Sequence, residues 1–180
     1  MNKELASMIL SDKEEILKVI ETFFDVGRTK NFSALREIQL DSPEFSSLSD
    51  VPPYSLKNYS DSIALEELRF SSISDYNYEI KNTKISVFGD LGIITFVLNQ
   101  KGMLVDNKAY TGQYITINGR ATFVLIKKNT WKIIHYHLDK IPGWFFMYYF
   151  FMFDDFGFDW QYFLYSSYAS LTSALLCIIA

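Results

Sequence analysis

A chain of 180 residues with a formal net charge of −4 and a pI near 5.2 has the length for one ordinary core, burying roughly 70% of the surface its unfolded form exposes. Its Lys and Arg are scattered rather than clustered, which excludes a nucleic-acid partner, because such a surface replaces phosphate counterions with grouped cations. The single cysteine, Cys177, cannot make an intrachain disulfide, so the expected setting is intracellular and cytoplasmic.

The first residues, MNKELASMILSDKEE, turn charged within a dozen positions and lack the apolar core of a signal peptide. Ser11-Asp12-Lys13-Glu14 has the form of a capping box and predicts that a helix starts there. Ile16, Leu17, Ile20, Phe23 and Phe24 follow at three-and-four spacing, and Gly27 marks the expected end. Asn31 to Leu40 predicts a short second helix with Leu35 and Ile38 inward. From Asp41 to Tyr59 the Pro, Ser and Asp content, with the Pro52-Pro53 pair, predicts an irregular extended segment over apolar surface. Ser60-Asp61 can cap a third helix that reaches Phe70 and carries Ile63, Glu66 and Leu68.

The periodicity then changes from helical to alternating. Tyr76 to Val87 and Gly92 to Asn99 predict two strands joined at Gly89-Asp90. Gly102 and Asp106-Asn107 interrupt the next segment, Tyr110 to Ile117 predicts another extended stretch, and Asn118-Gly119 predicts its end. Arg120 to Lys127, the turn Lys128-Asn129-Thr130 and Trp131 to Leu138 form the clearest hairpin in the chain. Helices placed before a largely antiparallel sheet indicate an α+β layer fold.

Strand alternation puts Arg120, Thr122 and Val124 on one face of that hairpin, with Ala121, Phe123 and Leu125 on the other. On the partner strand it groups Trp131, Ile133, His135, His137 and Asp139, while Lys132, Ile134, Tyr136 and Leu138 face the opposite way. His135 and His137 are the only histidines, and imidazoles in a half-apolar cavity can work as acid or base near neutral pH. Arg120 can hold a ligand carboxylate or pair with an internal acid. Two same-face histidines about 6.5 to 7 Å apart could share a zinc ion, but the sequence supplies no third ligand, so no metal and no cofactor are expected. The sequence contains no G-x-S-x-G, P-loop or dinucleotide fingerprint.

The segments EEILKVIETFFD, NFSALREI, VFGDLGIITF and GRATFVLIKKNTWKIIHYHLD together resemble the SnoaL-like branch of the nuclear transport factor 2-like superfamily, over roughly residues 11 to 142. The resemblance implies a cone-shaped, curved antiparallel sheet with N-terminal helices covering a cavity, and a homodimer through the outer sheet face. It implies Arg120, Thr122, Trp131, His135 and His137 as cavity-lining, ligand-binding residues. The implied ligand is a small apolar or carboxylate-bearing molecule. Such domains include cofactor-independent isomerases, cyclases and dehydratases, for which His135 and His137 would be the acid–base candidates, and non-catalytic oligomerisation domains.

The domain is expected to occupy residues 1–142, followed by a hydrophobic aromatic tail at 143–180. From Ile141 onward there is no Lys or Arg, and 15 of the 31 aromatic residues lie between Trp144 and Tyr168. Trp160 to Ala180 is a run of 21 uncharged residues that would measure roughly 31 Å as a helix, close to the hydrocarbon thickness of a bilayer. Three readings stay open: packing on the sheet or in an oligomer interface, association with a membrane, and a segment altered by a sequence error.

Overall fold

The structure, a computed structural model, describes residues 3–49, 54–106 and 111–140. The tail expected at 143–180, including the run 160–180, lies outside the described residues. Among the described residues no helix is long and apolar enough to cross a membrane.

Helix α1 spans Lys3–Thr29, so it begins well before Ser11 and the capping-box residues lie inside it. Strong helix formers such as Leu5, Ala6, Met8 and Leu10 precede the box and carry the helix through it. Asp12 is consequently buried, where its carboxylate meets the Lys127 ammonium and accepts the Trp131 indole N–H at 3.2 Å. Ile16, Ile20, Phe23 and Phe24 form the fully buried stripe.

Gly27 does not end α1. It is buried two residues before the end, and a Cβ there would lie 2.4 Å from the Tyr76 ring. The stop is made by Lys30, whose φ of 58° places a side-chain-bearing residue in the left-handed region that glycine usually takes. Its ammonium offsets that cost by donating to three carbonyls, Gly27 O and Phe70 O at 2.6 Å and Ile73 O at 2.5 Å. Burial lowers the Lys30 pKa.

Helix α2 is Ser33–Ile38 and α3 is Tyr59–Ser71, capped by the Asn58 side chain, which accepts from Asp61 N at 2.9 Å. Between them lies a strand the sequence did not announce, β1 at Ser46–Ser49. The remaining strands are β2 (Ile73–Phe88), β3 (Leu91–Asp106), β4 (Thr111–Lys127) and β5 (Trp131–Lys140). The sheet order is β1-β5-β4-β3-β2, antiparallel except for the parallel β1–β5 pair, so the sheet is mixed and unclosed. β3 runs through Gly102 and β4 through Asn118-Gly119, both expected breaks. At Gly102 the missing side chain lets the start of β2 approach, since a Cβ would meet Ile73 Cγ2 at 2.4 Å.

The helices cover one face of the sheet. Phe23 packs edge-on against Phe24, Phe70, Phe123 and Tyr136, with centroids 5.1 to 6.0 Å apart. On β4 the alternation is as expected, with Ala121, Phe123 and Leu125 buried. On β5 it breaks, because Val124 pairs with His135 but Leu125 pairs with Ile133, leaving Ile134 as the extra residue of a bulge. Trp131 and Ile133 before the bulge and Tyr136 and Leu138 after it therefore all point into the core. The expected grouping of Trp131 and Ile133 with the histidines is thus corrected, since one inserted residue exchanges the two faces.

Candidate functional site

The bulge divides the five residues proposed from sequence. Trp131 is 2% exposed and is engaged with Asp12 and Lys127 near the β2–β3 turn. Arg120, Thr122, His135 and His137 follow the outward alternation, away from the helices. His135 Nδ1 lies 2.8 Å from Ser46 Oγ, and burial, followed by the nearby His137, lowers its pKa. His137 Nε2 lies 3.0 Å from Asp139 Oδ1, with both side chains more than 40% exposed. Among the described residues no group of three or more His, Cys, Asp and Glu side chains is arranged to hold a metal ion.

On the helix-covered face a cleft of about 120 Å³ opens between the last turn of α3 and the sheet. Ile73, Leu98, Ile117 and Leu138 supply apolar wall, Arg69 and Gln100 supply polar groups, and Arg120, Asp139 and Lys140 lie along its border. Gly119 lines the cleft where β4 and β5 approach closely, and any Cβ there would be 2.7 Å from Asp139 O. Gln100 is fixed by the Tyr76 hydroxyl, which donates to its Oε1 at 2.7 Å.

Behind Arg69 lies a polar network inside the core. Glu66 and Ser62 are 0% exposed and Tyr136 is 1% exposed. The Tyr136 hydroxyl donates to Glu66 Oε1 at 3.1 Å and shares a 2.6 Å hydrogen bond with Ser62 Oγ. Glu66 Oε2 lies 3.1 Å from Arg69 Nε. That contact brings opposite charges together without hydrogen-bond alignment, and among the described residues Oε2 accepts no hydrogen bond. Burial raises the Glu66 pKa, and the opposing influences of Arg69, Tyr136 and Lys57 do not cancel it. Burial and the Glu66 charge raise that of Tyr136, keeping it a phenol. Arg69 also lies over the Phe70 ring, with Cζ 4.7 Å from the centroid.

The model of the SnoaL-like domain family matches residues 16–141. The chain belongs to the SnoaL-like domain family. Solved structures agree on the fold. A nuclear transport factor 2-like superfamily protein from Salmonella enterica has a TM-score of 0.64 and 20% identity over 75% of this chain and 94% of its own. A candidate dehydratase of the same superfamily from Streptomyces avermitilis gives 0.63 and 16% over 74% and 99%. The association domain of CaMKII from C. elegans gives 0.56 and 17% over 71% and 95%. No curated protein is significantly similar in sequence.

In this SnoaL-like domain the buried polar groups behind the cleft, Glu66 and Tyr136, are ones the sequence alone did not single out, whereas Arg120 lines the cleft itself. Alternation alone places Tyr136 on a sheet face and shows no network, and Glu66 is one residue among several on α3. A signal for Glu66 was nonetheless present. Ser62, Ile63, Glu66 and Phe70 are the buried positions of α3, so a carboxylate occupies the stripe that three-and-four spacing reserves for apolar side chains. Arg69, three residues on, had no such signal.

Proposed function

We propose that this SnoaL-like domain binds a small molecule in the cleft beside Arg69, with an apolar body against Ile73, Leu98, Ile117 and Leu138 and a polar or carboxylate end toward the guanidinium. The observation that carries this reading is the juxtaposition of those apolar walls with an arginine backed by a fully buried glutamate. Clefts of this composition, mostly apolar with a few fixed polar groups, are the usual form of small-molecule sites. A volume of about 120 Å³ is of the order of a cavity of roughly 150 Å³ that accepts benzene, which points to a single ring or a short chain. Of the residues named from sequence, Arg120 remains in the proposal as a border residue. Cofactor-independent isomerisation or cyclisation is less well supported, because the histidines follow the outer face and Glu66 and Tyr136 are sealed behind Arg69. A thermal-shift screen with small aromatic acids, alcohols and amides tests the binding reading. Hits that disappear in Ile117→Trp, which fills the cleft, are the expected result, and hits that persist unchanged in that variant would place the site elsewhere.

A second reading, self-association, is favoured by the outer face. Ile93 pairs with Val124 and Thr95 with Thr122 across β3 and β4, all half-buried and uncharged. The C. elegans neighbour is, by its name, an association domain. Sedimentation of Val124→Arg against the unaltered chain checks it. A loss of mass in the variant is expected, and equal masses would remove the reading.

A further inference from the structure

Resting on the cleft reading above, we propose that Glu66 is the specificity-determining residue of this site: it admits a monocarboxylate beside Arg69 by taking up a proton itself. The geometry sets the two charges in series. A ligand carboxylate entering along Ile73, Leu98 and Leu138 meets Arg69 from the cleft, while Glu66 Oε2 stands 3.1 Å from Nε on the other side. Two carboxylates would then share one guanidinium in a region closed to water on the Glu66 side. Each carboxylate raises the proton affinity of the other in such a poorly polarisable setting, and one guanidinium must then offset both. The group that gives way is the one already disfavoured as an anion, which is the fully buried Glu66.

The hydrogen-bond chain behind Glu66 suits both of its protonation states. With Glu66 ionised, Ser62 Oγ–H donates to the Tyr136 oxygen and Tyr136 O–H donates to Glu66 Oε1. With the proton on Oε1, that carboxyl donates to the Tyr136 oxygen and Tyr136 O–H turns to Ser62 Oγ. Either atom of the 2.6 Å Ser62–Tyr136 contact can be the donor, so reversal needs no movement of heavy atoms. Oε2, which accepts no hydrogen bond among the described residues, remains facing Arg69 in both states. The balance is one proton from solvent and one ligand carboxylate taken up together, with the charge of the site conserved. The other charged or titratable groups acting on Glu66 are Arg69 on α3, Lys57 before it, Tyr136 on β5 and Tyr76 on β2. Burial raises the Glu66 pKa against the combined opposition of Arg69, Tyr136 and Lys57.

Calorimetric titration of the full chain with benzoate and with benzyl alcohol, in buffers of different ionisation enthalpy from about pH 5 to about pH 8, tests this. Benzoate binding is expected to consume up to one proton per ligand and to weaken as pH rises, approaching tenfold per pH unit once Glu66 is ionised before binding. Benzyl alcohol binding should be independent of pH. Glu66→Gln keeps the shape of the side chain and should bind benzoate with no proton uptake and no slope, at least as tightly at the alkaline end. Arg69→Gln should remove the preference for benzoate over benzyl alcohol. Benzoate binding with no proton uptake, or a slope that persists in Glu66→Gln, would overturn the role of Glu66 while leaving the cleft reading intact. Failure of both compounds to bind the unaltered chain at every pH would overturn the cleft reading and this inference with it.

Discussion

The two faces of β5 carry polar side chains within a few residues of one another, and the two sets differ in kind. On the outer face His135 and His137 are partly exposed and satisfied locally, by Ser46 and by Asp139. On the inner face Tyr136 is closed from solvent and tied to Ser62 and Glu66 on α3. Water can replace a partner lost from the outer face, whereas nothing can replace one lost from the inner face. The residue types that usually suggest chemistry thus occupy the forgiving side, and the sensitive groups lie on the face whose sequence reads as core.

Deleting Ile134 attacks the comparison at its root. Without the bulge, either Trp131 and Ile133 or Tyr136 and Leu138 must turn outward. Each pair fills the core with large side chains, and losing even one such side chain costs about 3–5 kcal/mol. The expected outcome is a chain that no longer unfolds cooperatively, as read by near-ultraviolet circular dichroism during heating. A cooperative transition close to that of the unaltered chain would mean that the bulge does not set the faces.

A smaller change separates the faces by hydrogen bonding alone. Tyr136→Phe leaves Glu66 Oε1 and Ser62 Oγ buried with their shared partner removed, and a loss of about 1–3 kcal/mol is expected in urea unfolding. His137→Ala on the other face should stay within about 0.5 kcal/mol. Equal costs would erase the distinction.

How much of this could be read from sequence varied with how local the cause was. The β4–β5 hairpin was legible because alternation and the turn at 128–130 are properties of adjacent residues. β1 was not, since Ser46–Ser49 has no pattern of its own and becomes a strand by lying along the edge of β5. The bulge was illegible for a related reason, because alternation counts residues and cannot show where one is set aside. Asn118-Gly119 looked like an ending, yet Gly119 serves the close approach of β4 to β5. The capping box at Ser11 was a real local preference overridden by the helix formers before it. Glu66 stood on the inward stripe of α3 and was legible, but Arg69 became relevant only once the cleft was formed.

Acidity distinguishes the faces in opposite directions. Burial raises the Glu66 pKa, so its contribution to stability is full below the unfolded carboxyl value and is lost as pH rises through the folded one. Glu66→Gln should therefore melt above the unaltered chain at neutral pH, with the gap closing below the carboxyl range. His135 is held below its ordinary 6.5, so its contribution is present above that value and is lost as pH falls through the folded one. His135→Gln should flatten this acid limb in melts between about pH 5 and 7, and it is the smallest effect expected, because the ring is only partly buried. Two slopes of the same sign would contradict the assignment of these groups to their faces.

The ammonium of Lys30 gives the cleft a distant reference point. It joins the end of α1, the last turn of α3 at Phe70 and the first residue of β2 at Ile73, and Arg69 and Ile73 both line the cleft. One side chain just past a 27-residue helix therefore pins the corner between α3 and β2 that supplies two of the residues lining the cleft. Adding or removing a residue in the last turn of α1 would carry the ammonium around the helix axis and withdraw it from the Phe70 and Ile73 carbonyls. The corner that carries Arg69 and Ile73 could in that way shift during divergence by changes in helix length, with every wall residue left as it is.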